Sequence, residues 1–229
     1  MFWQEDEDKS LPYQIPEDII DLSFAISCKS LPLDHAWVLS QAILEHLPWL
    51  TDDVSGIHHI HVAESNNGWM RPADDEIAAL LHPSRRTKMT LRIPSLKLEQ
   101  AKELTGKTLL IDEHKLTIGK SKKKELTNDS VIFSRHVLSS TTESENEFLS
   151  RIAEEVKQTS GFKVKKMLCG KTHTINTPSE KLLTRHLMIA DLDSESSIKI
   201  QQQGLGDARV LGCGIFLPHK GIKSLNSSE

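Results

Sequence analysis

Apolar positions along the chain alternate between a period of two and a period near 3.6, and the switches mark out elements. Residues 18–29 place Ile20, Leu22, Phe24 and Ile26 on one side, the signature of a half-buried strand. Asp34, just ahead of His35-Ala36-Trp37, is placed to cap a helix running to about residue 47, where Pro48 stops it. Residues 56–63 form a second strand, 66–72 a polar loop, 73–82 a short helix, and 88–94 a third strand with Met89, Leu91 and Ile93 inward. A helix over 95–105 ends at Gly106, and 108–118 is a strand or hairpin ending at Gly119.

That order is β-α-β-β-α-β, the ferredoxin-like plan, and the second half repeats it. A strand is expected at 130–139. An amphipathic helix at 143–159 follows, with Phe148, Ile152 and Val156 on one face and Gly161 closing it. Strands follow at 162–168 and 182–191, then an ambiguous segment at 194–203 and a last strand at 213–217. The expected fold is α+β: two tandem ferredoxin-like (RRM-like) domains over 17–119 and 130–229, joined by a linker at 120–129, with an acidic leader at 1–16.

Composition permits such a fold. At 229 residues, 38% hydrophobic and 26% charged, the chain can bury two cores. No apolar run approaches the ~18 residues of a membrane span, and the acidic first residues do not resemble a secretory signal. Three scattered cysteines (Cys28, Cys169, Cys213) without a C-x-x-C pair suggest reduced, buried thiols in a cytoplasm. The net charge of −4 taken alone opposes a nucleic-acid partner, but residues 1–22 hold seven acids and one lysine, so the remainder is net positive. Basic residues cluster at 85–88, 120–124 and 163–171.

Candidate chemistry centres on histidine. His35 and His46 share a helix face but lie about 16 Å apart, too far to serve one centre. An antiparallel crossover brings His46, at the helix C-terminus, toward His58 at the start of the second strand. The helix end favours imidazolium at His46 and the neutral ring at His35. Alternation puts His58 on the apolar face and His59 and His61 on the other. The latter two could be half of a metal site, but no further ligand stands at usual spacing. Gly170-Lys171-Thr172 mimics the end of a phosphate loop, yet the required earlier glycine is Lys165. What remains is metal-free acid–base chemistry on a phosphodiester, with Arg85 and Arg86, then Lys88 and Arg92, supplying positive charge.

The glycine-dense stretch Gly204-Leu205-Gly206, followed by Asp207, Arg209 and Leu211-Gly212-Cys213-Gly214-Ile215-Phe216-Leu217-Pro218-His219-Lys220, fits no dinucleotide loop, because too few residues follow it. It resembles the C-terminal glycine-rich loop of the CRISPR repeat-processing endoribonucleases, the Cas-six family, most closely its Myxan subtype. Leu31-Pro32-Leu33-Asp34-His35, Leu47-Pro48-Trp49, Gly56-Ile57-His58, Ser84-Arg85-Arg86-Thr87, Leu91-Arg92-Ile93-Pro94 and Cys169-Gly170-Lys171 match that pattern in order.

The resemblance implies metal-independent cleavage of CRISPR repeat RNA by 2′-hydroxyl attack, leaving a 2′,3′-cyclic phosphate and a 5′-hydroxyl. It implies His58, His46 and His35 as catalytic residues, to which the reading of the basic residues adds Arg85. The glycine loop (Gly204, Gly206, Arg209, Gly212, Gly214, Lys220) and the basic residues Arg86, Lys88, Arg92, Lys163, Lys165, Lys166 and Lys171 would hold the RNA. No cofactor is expected; other subunits of a CRISPR effector complex are possible partners. The rival readings are a non-catalytic RNA-binding subunit of the same fold and a metabolite enzyme using the glycine loop for phosphate.

Overall fold

A computed structural model describes residues 13–52, 54–62 and 79–219. The expected helix at 73–82 therefore lies largely outside the described residues, as does Lys220, and the described part of that span holds the short strand Leu80–Leu81 and no helix. The first half contains β1 (Ile19–Ser27), β2 (Leu31–Pro32), α1 (Ala36–Leu44), β3 (Gly56–Ile57), β4 (Leu80–Leu81), β5 (Lys88–Pro94), α2 (Leu98–Lys102), β6 (Thr108–Ile111) and β7 (His114–Lys124). The second contains β8 (Ile132–Leu138), α3 (Glu145–Ser160), β9 (Lys166–Asn176), β10 (Lys181–Ala190), α4 (Ser194–Gln203) and β11 (Leu217–Pro218).

The two main sheets run β3-β5-β1-β7-β6 and β11-β8-β10-β9. Apart from the edge strand β6, each has the ferredoxin-like order in which the first strand lies between the third and the fourth. All their pairings are antiparallel. Each sheet packs its own apolar face into a separate core. Ile20, Leu22 and Phe24 meet Leu39 and Ile43 of α1 in the first half, while Phe148, Ile152 and Val156 of α3 meet Leu187 and Ile189 in the second. α3 carries the strongest local signals: a Ser144/Glu147 capping box at its start and left-handed Gly161 at its end.

Three expectations about elements need correction. Residues 120–124 are not linker but the end of β7, with Lys124 opposite Asp21 and Lys122 opposite Ser23. A lysine run tolerates strand geometry where its side chains reach solvent. Residues 213–215 are not strand: Gly212 and Gly214 take positive φ, which breaks the extended backbone, and β11 begins only at Leu217. Finally, β3 forms a ladder over Gly56–Ile57 alone. Ile57 and Ile60 both enter the first core although three apart, which a period of two forbids, so the alternation expected across 56–63 fails after Ile57.

The halves meet along a polar and apolar seam. Ala36, Ile175 and Cys213 share one small cluster drawn from α1, β9 and the glycine-rich loop. Asp34 is not the cap of α1, a position His35 takes. Its Oδ2 instead accepts hydrogen bonds from Asn176 N (3.1 Å) and Asn176 Nδ2 (2.6 Å) at the end of β9.

Candidate active site

Between the halves lies a cleft of about 230 Å³, and six of its lining residues are histidines: His35, His59, His61, His136, His173 and His186. Arg135 and Lys171 also line it. Two irregularities in the second sheet assemble this wall. Along β10, Arg185 pairs with Val137 but Leu187 pairs with Ser134, so Arg135 and His136 together oppose His186. On the other side Arg185 pairs with Thr172 and Leu187 with Cys169, so Gly170 and Lys171 also oppose His186. Two bulges thus face one histidine, and they turn Arg135, His136 and Lys171 into the same space.

The rings form a chain. His59 stacks on His136 at 4.1 Å between centroids, His136 meets His173 edge-on at 5.4 Å, and His173 stacks on His186 at 4.4 Å. His173 Nε2 and His186 Nε2 are 2.6 Å apart, so only one of these two nitrogens carries a proton at a time. Burial lowers the pKa of His136 well below 6.5, and neighbouring His59, His173, His186 and Arg135 lower it further. The ring is therefore neutral near pH 7. Its tautomer follows from its partner: the Thr184 hydroxyl donates to the His173 carbonyl (3.2 Å), so its oxygen accepts from His136 Nδ1–H (3.1 Å). The lone pair of His136 is then on Nε2.

The sequence-derived candidates divide. His35 borders the cleft but is buried, and both its nitrogens hold backbone. Nε2 accepts from Ile60 N–H (3.1 Å), and Nδ1 donates toward the carbonyls of Pro32 (3.0 Å) and Leu33 (3.1 Å). His35 is a neutral strut for the segment that carries His59 and His61. His58 does not face α1. Its Nε2 lies 3.2 Å from Asp21 Oδ1, and burial lowers its pKa despite that carboxylate. His46 is exposed beyond the end of α1 and outside the cleft lining. Arg85 and Arg86 are exposed on the turn leading into β5 and Lys88 is exposed at its first position, all three outside that lining.

Arg92 and Arg209 are corrections of another kind, because both are buried and spent on the seam. Arg92 binds both Asp21 carboxylate oxygens (2.9 and 3.0 Å) and donates to the carbonyls of Gln201 and Phe216 (2.8 Å each). Arg209 donates to the carbonyls of Val54, Ser55, Gln202 and Gln203, and burial pulls its pKa down to about 10. Neither guanidinium is free for phosphate.

The glycine-rich loop is likewise mostly packed. A Cβ on Gly212 would stand 2.3 Å from His59 Cδ2, and one on Gly214 would stand 1.9 Å from the Leu205 carbonyl oxygen. Gly214 N–H also donates to the His136 carbonyl at 2.7 Å, so the loop braces two of the cleft histidines from behind. Gly204 is buried too, which leaves Gly206 as the exposed member of the four. Of the lysines, Lys171 is in the cleft, Lys166 pairs with Asp191 (2.7 Å), and Lys163 and Lys165 are exposed beyond the far end of β9. Burial pushes the Cys213 thiol up to about 12 and the Cys169 thiol to about 11, so both are inert at neutral pH.

His136, His173, His186 and Arg135 escaped sequence reasoning. They belong to no motif: His136 and His186 fell on expected strands, but His173 lay beyond the strand expected at 162–168, where β9 instead runs over Lys166–Asn176. Among the described residues, no three His, Cys, Asp or Glu side chains converge so as to hold a metal ion. No helix among them is long and apolar enough to cross a membrane.

A sequence model of the family described as Cas6 Crispr matches residues 20–221. A CRISPR-associated endonuclease Cas6 of Myxococcus xanthus (strain DK1622) is 28% identical over 202 residues, covering 87% of this chain and 81% of that protein. The fold is similar to a structure described as a RAMP protein binding different RNA substrates (TM-score 0.62, 12% identity, 86% of this chain and 98% of that one). It is equally similar to the product of a Cas6-related gene from Pyrococcus furiosus (TM-score 0.62, 12% identity, 88% and 99%).

Proposed function

Because the chain belongs to the Cas6 family, we propose that it is an endoribonuclease that cuts CRISPR precursor RNA within its repeats, without a metal ion, by attack of the 2′-hydroxyl on the adjacent phosphate. The histidine-lined cleft carries this reading. Histidine moves protons near neutral pH without a cofactor, and here several histidines share one cleft with two cations.

The residues divide the work as follows. His136, neutral with its lone pair on Nε2, takes the proton of the 2′-hydroxyl. The 2′-oxygen bonds to phosphorus as the bond to the 5′-oxygen breaks. His173 and His186, both protonated on Nδ1, share one further proton between their Nε2 atoms as an imidazolium–imidazole pair; that proton passes to the leaving oxygen and leaves two neutral rings. Lys171 and Arg135 stabilise the charge building on the phosphate oxygens. The products are a 2′,3′-cyclic phosphate and a 5′-hydroxyl. Kinship to the Myxococcus endonuclease supports the choice of activity.

The test is incubation of labelled repeat RNA with the protein in EDTA. Cutting at one fixed position is expected. A shifted band with no cutting would identify a non-catalytic RNA-binding subunit instead.

A further inference from the structure

The lysine run in β7 plays no part in the cleft, and its register gives it a direction. Cross-strand partners share a sheet face, so Lys124 (opposite Asp21) and Lys122 (opposite Ser23) lie on the face away from the core, while Lys123 (opposite Leu22) lies on the core side. A register shift leaves Gly119 and Lys120 together opposite Ala25, which lies on the same face of β1 as Asp21 and Ser23, so Lys120 joins that face through a bulge. Lys120, Lys122 and Lys124 are all exposed. Among the described residues none of the three makes an ion pair. Lys123, by contrast, is neutralised by Glu17 at 2.5 Å and approaches Glu125 at 4.0 Å. Asp21, the acid on their own face, is already engaged by Arg92. The outward row is thus an uncompensated strip of positive charge along one strand.

Its position relates it to the cleft. His58 N–H donates to the Thr90 carbonyl, Thr90 pairs with Ser23, and Ser23 pairs with Lys122. Three strand spacings, about 14 Å, separate Lys122 from the segment that enters the cleft as His59.

We propose that Lys120, Lys122 and Lys124 form a phosphate-binding rim that holds the RNA backbone on the β7 side of the first sheet, outside the cleft. The inference rests on RNA being the substrate. Lysines on a strand offer point charges and no base-reading geometry, so the rim grips sequence-independently.

The experiment measures RNA affinity by fluorescence anisotropy over a series of salt concentrations, for the full chain and for K120A/K122A/K124A. Loss of three phosphate contacts should flatten the slope of log K against log [salt] by about two, and weaken binding at about 50 mM salt by roughly tenfold or more. K120R/K122R/K124R should keep the wild-type slope, as should Lys123→Ala. A wild-type slope in the triple alanine variant would overturn the rim. Failure of the wild-type protein to cut the RNA it binds would instead remove the proposed activity and leave the rim standing.

Discussion

His173 Nε2 stands 2.6 Å from His186 Nε2 across neighbouring strands, a distance at which the two imidazoles must share one proton. If that shared proton goes to the leaving oxygen, the pair acts as a unit. His173→Ala and His186→Ala should each slow single-turnover cleavage about 10²–10⁴-fold, and the double variant should be little worse than either. Multiplying effects in the double variant would mean that the two act separately.

His136 sets the pH dependence. Its pKa is held well below 6.5 by burial, so the base form persists through neutral pH and the acid limb of kcat/KM should lie below 6.5. The same shift has a stability consequence. As pH falls below about 6.5 the unfolded chain takes up this proton before the folded one, so thermal stability should decline from there. A pH–rate profile whose acid limb lies at or above 6.5 would assign the base to another group.

Asp34 joins the two walls of the cleft. Its carboxylate holds Asn176 on β9, three residues beyond His173, and its neighbour His35 holds Ile60, next to His59. Asp34→Ala should lower the saturated cleavage rate by about 10²-fold, because misplacement of about 1 Å is that costly. RNA affinity should change far less, and parallel single-turnover and anisotropy measurements separate the two effects.

The buried Asp21–Arg92 pair is a stability element with its own signature. Burial opposes ionisation of Asp21, but Arg92 and His58 hold its carboxyl well below the usual range. Asp21→Ala strands a buried guanidinium and should cost about 3–5 kcal/mol, lowering Tm by roughly 6–20 °C. His58→Ala removes a neutral partner and should cost less, with cutting retained in the folded protein. Calorimetry and a cleavage assay on both variants provide the check.

The ferredoxin-like repeat was legible because apolar alternation and helix punctuation are local: Ile20-x-Leu22-x-Phe24 and the Phe148/Ile152/Val156 stripe need no partner to be read. The site was less so. Cys169-Gly170-Lys171 could be singled out, and Lys171 does line the cleft, but nothing local marks the bulges that turn His136 and Lys171 toward His186. The face of His58 does not follow from strand parity, because the ladder stops at Ile57. Arg92 and Arg209 read as surface cations because much of their compensation is distant in sequence: Asp21, 71 residues from Arg92, and carbonyls more than a hundred residues from each.

The most direct measurement is the single-turnover cleavage rate of repeat RNA in EDTA, with the product's 3′ end identified, for wild type, His136→Ala and His58→Ala. A 2′,3′-cyclic phosphate is expected, with the rate reduced at least about 10²-fold in His136→Ala and largely kept in His58→Ala. Unimpaired cutting by His136→Ala, or wild-type protein that is inactive in EDTA and cuts only when a divalent ion is restored, would contradict a cleft in which histidine alone moves the protons.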